Sequence, residues 1–324
     1  MYKVLLTGFG KDMCHQDKVI EAFKGIAEVY VYNEIESRDE LLKLVPDMDA
    51  IITDTERIDE EVISAAKKLK IISELGVGVD NIDLESATKH GVYVCNVPNV
   101  STRDVAEHAA ALILAACRCV YAGIKGVKEE GLWDSALMHP KRLSGKKLGL
   151  IGCGRIGKTL VKFLSGFDLE IMVYDPYLAD DTSHELNIQR VNLDELLHKS
   201  DIISLHLPKT TETENMISYQ QFYLMKKGVI IINVSRGGII NEDALLWALN
   251  EGIVYTAGLD VLENEPYISD NKLVQHPRAL ITPHIGWKSE ISPLEIQLEG
   301  AMNVIHYLRD GVLRNVCNEE LMTD

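Results

Sequence analysis

Short runs of aliphatic and β-branched residues alternate along the chain with longer stretches whose apolar side chains recur every three or four positions. Continuous short runs are typical of buried strands, and the three-to-four spacing is typical of amphipathic helices. Strands that alternate with such helices form βαβ units, which build a parallel sheet with helices on its faces. The pattern therefore predicts an α/β protein.

The first hundred residues predict one compact α/β unit. Its predicted strands are Val4–Thr7, Val29–Tyr32, Ala50–Thr53, Ile71–Ser73 and Val92–Cys95. Helices are predicted near residues 17–25, 38–45, 60–69 and 83–90. The unit is expected to end at residues 96–100, where Pro98 prevents regular structure from continuing.

A second α/β series follows a long apolar helix. Ser101-Thr-Arg-Asp104 resembles a helix start, and we predict a helix over Val105–Val120, then a polar stretch to Ser144. The predicted strands are Lys147–Ile151, Glu170–Tyr174, Asp201–Leu205, Val229–Asn233, Val254–Leu259 and Leu280–Thr282. Six strands are the size of a dinucleotide-binding domain. The tail from about Ser292 to Leu308 predicts a helix that returns to the first unit.

A glycine fingerprint opens the second series. Gly152-Cys-Gly-Arg-Ile-Gly157 follows the strand that ends at Ile151 and precedes a predicted helix over Lys158–Ser165. Gly152 allows the tight turn, Gly154 lets the backbone approach a pyrophosphate, and Gly157 lets the helix pack on the strand. The pyrophosphate would then rest on N–H groups of the helix start, including Arg155 and Ile156.

The acidic residue that such a fingerprint requires is Asp175, which directly follows the next predicted strand, 18 residues after Gly157. Its carboxylate suits the ribose hydroxyls of NAD and would repel the 2′-phosphate of NADP. We therefore expect NAD as the cofactor rather than NADP. The alternative is an ordinary glycine turn followed by an Asp-Pro turn.

Three polar residues follow the ends of three later strands: Arg236, Glu265 and His284. In open α/β sheets, ligands bind outside the carboxyl ends of the strands. An arginine can hold a carboxylate in a bidentate pair, an imidazole can move a proton at neutral pH, and a carboxylate can orient that imidazole. Each residue alone could be structural, but together they predict acid–base chemistry beside a nucleotide.

A second glycine-rich segment, Leu75-Gly-Val-Gly-Val79, follows a strand of the first unit. Successive N–H groups in such a loop could hold an anion such as a substrate carboxylate, through Val77 and Gly78. A tight strand-to-helix loop with no ligand is the alternative, with Asp83 capping the next helix.

Composition narrows the function. The net charge of −16 argues against nucleic acid as a partner but not against a small anionic substrate. No apolar run is long enough to span a membrane, and Met1 leads directly into a strand-like run, so we expect a cytoplasmic protein. The six cysteines lack metal-binding spacing and are expected to be reduced and mostly buried; Cys117 and Cys119 would face different sides of one helix. No metal is expected.

These stretches resemble the D-isomer-specific 2-hydroxyacid dehydrogenases over nearly the whole chain. The segments that carry the resemblance are Leu75–Asp83, Asn99–His108, Leu143–Gly157, Leu207–Thr213, Met225–Gly238, Ala257–Pro266 and Thr282–Trp287. The resemblance implies two doubly wound parallel-sheet domains: a Rossmann NAD domain, residues 101–286, inserted into a flavodoxin-like substrate domain, residues 1–100 and 287–324. It places the active cleft at the hinge between the two domains.

The resemblance also implies roles for individual residues. Arg236 would clamp the substrate, His284 would be the acid and base, and Glu265 would be its partner, with the Val77 and Gly78 backbone on the substrate carboxylate. Further NAD contacts are expected from Asp175, Pro208, Thr213, Val234, Asp260 and Gly286. A homodimer through the NAD domains, using helices such as residues 101–121, is implied as well.

The resemblance leaves the substrate open. Glu265 stands where formate dehydrogenases have glutamine, and the chain ends 40 residues after His284, which leaves no room for the regulatory domain of long phosphoglycerate dehydrogenases. The loop Thr53-Asp-Thr-Glu-Arg57 is acidic except for Arg57, which disfavours a substrate phosphate. Glyoxylate or hydroxypyruvate is therefore expected first and phosphohydroxypyruvate second, although Leu75–Asp83 is similar to short phosphoglycerate dehydrogenases.

A different class of function fits the same motifs. Transcriptional corepressors that resemble this family keep the acid–base trio and sense NAD without a metabolic reaction. They need a peptide-binding groove and usually carry extra tails, so the enzyme is the favoured prediction.

Overall fold

The structure, a computed structural model, describes residues 1–8, 15–32, 37–267 and 270–322. It divides the chain into two compact units, residues 1–101 with 288–324 and residues 102–287. The predicted domain boundaries lie one residue before each of these. Cys14 falls outside the described residues.

The first unit contains a five-stranded sheet. Its strands are β1 (Tyr2–Thr7), β2 (Ala27–Tyr32), β3 (Ala50–Thr53), β4 (Ile71–Glu74) and β5 (Tyr93–Cys95). They pair in parallel in the order β2-β1-β3-β4-β5, the order of flavodoxin-like sheets. Every residue of β3 and β4 is buried, as expected for central strands covered on both faces.

Helices cover this sheet and one of them comes from the C-terminal segment. They are α1 (Gln16–Ala22), α2 (Arg38–Leu44), α3 (Glu60–Ala65), α4 (Leu84–Lys89) and α12 (Ser292–Asp310). Asp59 and Asp83 cap α3 and α4 by accepting hydrogen bonds from their first backbone N–H groups. Helix α12 packs against α1, β3 and β4, which confirms the predicted return of the tail.

The second unit contains a seven-stranded parallel sheet. Its strands are β6 (Lys147–Ile151), β7 (Glu170–Tyr174), β8 (Gln189–Arg190), β9 (Ile202–Leu205), β10 (Val229–Asn233), β11 (Val254–Leu259) and β12 (Ala279–Ile281). Their order is β12-β11-β10-β9-β6-β7-β8. The strand order reverses between β6 and β9, and such a switch point opens a crevice at the carboxyl ends of the two strands.

Helices pack on both faces of the larger sheet. They are α5 (Thr102–Cys117), α6 (Val120–Glu129), α7 (Arg155–Phe163), α8 (Asp180–Glu185), α9 (Leu193–Lys199), α10 (Tyr219–Leu224) and α11 (Glu242–Asn250). Residues of α5 and α7 join one buried cluster with β6, and residues of α9, α10 and α11 join a second cluster. The predicted doubly wound architecture of both units is confirmed.

Two features of the second unit differ from the prediction. The short edge strand β8 was not predicted, because two residues carry no periodicity. The single helix predicted over Val105–Val120 is wrong: α5 ends at Cys117 and α6 starts at Val120 after a bend of 64°. Cys119, at φ +54°, takes the left-handed conformation and interrupts the helix, so it does not share a helix with Cys117.

No single helix in the described ranges is long and apolar enough to cross a membrane, although the bent pair α5 and α6 reaches that threshold by length and composition. Six of the sixteen residues of α5 are buried within the second unit. Its apolar character is accounted for by packing on the sheet.

Candidate active site

The glycine fingerprint forms the turn between β6 and α7, and each glycine answers a different steric demand. Gly152 has φ +87°, and a Cβ there would lie 2.5 Å from the carbonyl oxygen of His206. A Cβ on Gly157 would lie 3.0 Å from the Gly152 oxygen. A Cβ on Gly154, in contrast, would meet no atom within 4 Å, so its backbone is open to an approaching group. These features fit a pyrophosphate above the first turn of α7, where Arg155 and Ile156 lie.

Asp175 is attached to this turn, a link that the sequence did not indicate. Its Oδ2 accepts a hydrogen bond from the Cys153 N–H at 2.8 Å, and its Oδ1 accepts one from the Tyr177 N–H at 2.9 Å. The carboxylate that ends β7 is thereby fixed beside the fingerprint. Its placement fits the ribose of a dinucleotide.

The other predicted cofactor residues follow β9 and β10 at the same edge of the sheet. Thr213 donates its hydroxyl to the Pro208 carbonyl at 2.8 Å and accepts the Thr210 N–H at 2.7 Å, which closes the turn after β9. Val234 is buried directly after β10. Their contact with a cofactor stays a prediction.

Arg236 lies in a turn that the buried amide of Asn233 holds. The Asn233 side chain accepts a hydrogen bond from the Ser235 N–H at 3.0 Å and donates one to the Arg236 carbonyl at 2.9 Å. Ser235 in turn donates its hydroxyl to the Leu205 carbonyl of the neighbouring strand at 2.8 Å. Arg236 is half-buried and extends from this fixed backbone, and its guanidinium donates a hydrogen bond to the Ser235 carbonyl at 2.9 Å.

Glu265 and His284 are brought together as predicted. Nδ1 of His284 lies 2.6 Å from Oε2 of Glu265, and Oε1 of the same carboxylate accepts the Leu262 N–H at 2.8 Å. Burial acts to raise the pKa of Glu265, but the hydrogen bond and charge of His284 and the Leu262 N–H outweigh it and leave the pKa below its ordinary value. The carboxylate is therefore ionised at neutral pH and orients the imidazole.

Asp260 holds the segment that carries His284. Its buried carboxylate accepts hydrogen bonds from the Ile285 N–H at 3.0 Å, the Gly286 N–H at 2.7 Å and the Thr282 hydroxyl at 2.6 Å. Its backbone carbonyl accepts the His284 N–H at 2.9 Å. His284 itself has φ +51°, a left-handed conformation that a residue with a side chain adopts only where its surroundings hold it.

His108 completes this network from helix α5. Its Nε2 lies 2.9 Å from the Thr282 hydroxyl oxygen and 3.3 Å from Oδ1 of Asp260. Burial acts to raise the pKa of Asp260, yet the hydrogen bonds from His108, Thr282 and the two backbone N–H groups lower it overall. The sequence reasoning did not single out this role, although a lone histidine on a largely apolar helix was a usable signal.

The Arg236 turn and the Glu265 turn also touch. The backbone of Gly237 lies so close to the Leu262 carbonyl that any Cβ would overlap it. Leu262 supplies the N–H that fixes Glu265. Only glycine allows this approach, so position 237 joins the two segments that carry the cation and the carboxylate.

Val77 and Gly78 belong to the first unit, in the loop after β4. Asn96 donates its side-chain N–H to the Val77 carbonyl at 2.6 Å, and the Val77 side chain is exposed. Their binding of a substrate carboxylate stays a prediction.

Comparison with known proteins identifies the family. Residues 110–286 match the family described as D-isomer specific 2-hydroxyacid dehydrogenase, NAD binding domain. The chain belongs to the D-isomer specific 2-hydroxyacid dehydrogenase family. This confirms the resemblance inferred from the motifs and the NAD-binding character of the second unit.

Individual members of this 2-hydroxyacid dehydrogenase family extend the similarity beyond the matched domain. The chain is 40% identical to D-3-phosphoglycerate dehydrogenase of Archaeoglobus fulgidus over 87% of its length, but this covers 54% of that protein, so the chain spans about half the length of that relative. It is 38% identical to glyoxylate reductase of Korarchaeum cryptofilum over 88% of this chain and 87% of that one. The crystal structure of a glyoxylate reductase from Paecilomyes thermophila superposes with a TM-score of 0.90 at 31% identity, covering 98% and 99% of the two chains.

Proposed function

We propose that this member of the family is an NAD-dependent dehydrogenase that interconverts a small 2-keto acid and its D-2-hydroxy acid. The observation that carries the proposal is the 2.6 Å contact between Glu265 and His284 in the unit that has the glycine fingerprint. An ionised carboxylate on one nitrogen of an imidazole leaves the other nitrogen to move a proton. That arrangement supports acid–base catalysis rather than the binding of a cofactor alone.

In the proposed reaction each residue has one duty. Because Nδ1 of His284 is engaged by Glu265, Nε2 is the atom that gives a proton to the keto oxygen in reduction and removes it in oxidation. The guanidinium of Arg236 binds the substrate carboxylate in a bidentate pair and polarises the neighbouring carbonyl. When bound, NAD supplies hydride chemistry, and Gly152, Gly154, Gly157 and Asp175 would hold it.

NAD rather than NADP is the proposed cofactor. The support is the carboxylate of Asp175, which its hydrogen bonds to Cys153 and Tyr177 hold beside the fingerprint. A fixed negative charge there would repel a 2′-phosphate, whereas it can accept hydrogen bonds from ribose hydroxyls.

Glyoxylate or hydroxypyruvate is the proposed substrate. The acidic loop at residues 53–57 supports this choice: the Arg57 side chain is 81% exposed beside Asp59, and the neighbouring Arg38 is paired with Asp59 and Glu61. Cations that are already paired with carboxylates offer little to a substrate phosphate. The similarity to a glyoxylate reductase, which extends over 87% of that protein, adds support.

D-3-phosphoglycerate dehydrogenase activity is the second candidate. It is favoured by the 40% identity to relatives of that name. The two candidates are separated by comparing phosphohydroxypyruvate with hydroxypyruvate, since only a phosphate site would make the former the better substrate.

The test is NADH oxidation by the purified protein with a panel of glyoxylate, hydroxypyruvate, pyruvate and phosphohydroxypyruvate. We expect turnover with small 2-keto acids, and a fall in kcat of about 10²–10⁴ in His284→Ala with NADH affinity retained. His198→Ala is the matched control, because His198 is an exposed histidine of α9. NADH binding without turnover on any keto acid would exclude the enzyme and favour an NAD-sensing protein.

A homodimer through the NAD-binding unit is proposed as the assembly. Helix α6 presents Val120, Tyr121, Ile124 and Val127 as exposed apolar side chains, and Trp133 just after it is 91% exposed. Positions 120, 124 and 127 recur on one face of the helix. A contiguous apolar surface of this kind is typical of a protein interface, and a second copy of the same helix would complement it.

A further inference from the structure

A cavity of about 390 Å³ lies at the opposite edge of the seven-stranded sheet from the glycine fingerprint. Lys146, Asp201 and Gly228, which line it, directly precede β6, β9 and β10. Parallel strands share one amino edge, and the fingerprint lies at the carboxyl edge. The cavity is therefore separate from the candidate active site, by about the length of a five-residue strand, roughly 17 Å.

The charge of this cavity is opposite to that of the protein. The chain has 49 acidic and 33 basic residues, yet the cavity is lined by five cations and one carboxylate. The charged lining residues are Lys141, Arg142, Lys146, Lys226, Lys227 and Asp201. A concave cluster of one charge sign focuses the local field and attracts the opposite charge, whatever the net charge of the molecule.

The single carboxylate does not neutralise the cations. Nζ of Lys226 and Nζ of Lys146 lie 3.3 and 3.7 Å from the same oxygen of Asp201, whose second oxygen accepts the Lys147 N–H at 3.0 Å. Within the described ranges, Arg142 and Lys227 form no ion pair. Two cations therefore remain available to an anion.

Lys141 lies deeper than the others. Its ammonium donates a hydrogen bond to the Gly228 carbonyl and stands 4.6 Å from the centre of the Tyr255 ring. Burial lowers the pKa of Lys141, and repulsion from Lys146 lowers it further. An anion in the cavity would offset both effects.

An aromatic surface adjoins the basic cavity. A second cavity of about 570 Å³ is lined by the aromatic residues Tyr223 and Trp247 and by one carboxylate, Glu251, and Lys227 lines both cavities. The Tyr223 ring is 4.9 Å from the Trp247 ring, and Tyr223 is 71% exposed. Exposed aromatic rings beside cations are the combination that binds bases and phosphates together.

We propose that the two cavities form one site for a nucleoside polyphosphate, distinct from the dinucleotide site. Its phosphates would lie among Arg142, Lys146, Lys226 and Lys227, and its base would stack on Tyr223. The proposal does not depend on the catalytic function, because it rests on the other edge of the sheet.

The test is isothermal titration calorimetry of protein saturated with NADH, which occupies the fingerprint, using ADP and pyrophosphate as probes. We expect one equivalent of each to bind, with ADP about tenfold tighter because its base stacks. Added salt should weaken both. Absence of binding by both probes would overturn the proposal.

Substitutions in the two cavities test which residues bind the phosphates and which binds the base. Arg142→Gln combined with Lys227→Gln should weaken both probes at least tenfold without disturbing the Asp201 pairs, and Tyr223→Ala should weaken ADP alone. Lys18→Gln combined with Lys199→Gln, on α1 and α9 and outside both cavities, is the charge-matched control. Unchanged affinity in the double variant would contradict the site, and equal affinities for ADP and pyrophosphate, unaffected by Tyr223→Ala, would contradict the nucleoside.

Discussion

At the scale of single residues, the proposed active-site chemistry depends on hydrogen bonds that the sequence motifs do not show. Glu265 is fixed by the Leu262 N–H, Asp175 by the Cys153 N–H, and the His284 segment by Asp260. Backbone N–H groups orient each of these carboxylates, and at Glu265 and Asp260 they also lower the pKa and so favour the charged form. A residue type can be chosen from a motif, but its protonation state is decided by these neighbours.

Glu265→Gln should lower kcat for keto-acid reduction about 10²–10³-fold, because a neutral amide no longer places a negative charge on Nδ1 of His284 to orient the imidazole. The pKa of Glu265 is lowered in the folded protein, so its stabilising contact is fully present above the ordinary carboxylate pKa and is lost as the pH falls from there through the lowered pKa of the folded state. The kcat of both proteins at pH 7 and their thermal unfolding between pH 3 and pH 7 check these two expectations. Equal kcat in the two proteins would refute the role of Glu265.

Asp175→Ala should raise the NADPH-to-NADH ratio of kcat/KM by about ten- to a hundredfold, since the charge that repels the 2′-phosphate is removed. The ratio is taken within one protein, so a general loss caused by loosening the fingerprint turn affects both cofactors alike. An unchanged ratio would show that Asp175 does not select the cofactor.

His108→Ala should lower the free energy of unfolding by about 1.5–3 kcal/mol, because the buried Asp260 carboxylate loses a hydrogen-bond partner. It should also lower kcat measurably. Both partners of His108 hold the segment that carries His284. Thr282 lies just before His284 in the chain, and the Asp260 carbonyl accepts the His284 N–H. His108→Asn keeps a donor and should recover part of the loss. Thermal unfolding and kcat measured together check this, and wild-type values in His108→Ala would exclude a positioning role.

At the scale of elements, the site depends on close backbone approaches after the strands. The turns after β10 and β11 touch at Gly237 and Leu262. The turn after β12 is held by hydrogen bonds to the Asp260 carboxylate. The strands themselves were predicted within a few residues because continuous apolar runs identify them. The contacts between the turns were not predicted, because the only sequence feature of such a close backbone approach is a glycine.

Gly237→Ala should lower the free energy of unfolding by about 1–3 kcal/mol, since the added Cβ overlaps the Leu262 carbonyl and backbone cannot move aside freely. Gly166→Ala is the matched control, because a Cβ there meets nothing within 4 Å. Urea unfolding of both variants gives the comparison. Equal stabilities would contradict the proposed steric coupling between the two turns.

At the scale of the whole molecule, the chain combines two doubly wound units, and α12 returns the C-terminal segment to the first. The exposed apolar stripe of α6 is the feature that points to assembly. These side chains are not aligned with those of α5, because the left-handed Cys119, which follows the end of α5, turns α6 by 64°. A sequence prediction of one continuous helix could not place that stripe.

Ile124→Glu should convert a dimer in solution into a monomer, because a buried charge at the centre of the stripe has no partner. Ile20→Glu makes the same change at another exposed isoleucine, on α1, and should leave the mass unaltered. Light scattering coupled to size-exclusion chromatography measures both. A wild-type monomer, or a dimeric Ile124→Glu protein, would contradict the proposed interface.

The sequence by itself determined the two α/β units, the glycine turn, and the identities of Arg236, Glu265 and His284, because hydrophobic periodicity and local motifs need only near neighbours along the chain. The tertiary structure alone decided the break at Cys119, the attachment of Asp175 to the fingerprint, the approach of Gly237 to Leu262, and the network of His108 with Asp260. It also assembled the basic cavity from Lys141, Asp201 and Lys227. Apart from the break at Cys119, these features join residues that are far apart in sequence, and only the packing of parallel strands edge to edge brings such residues into contact.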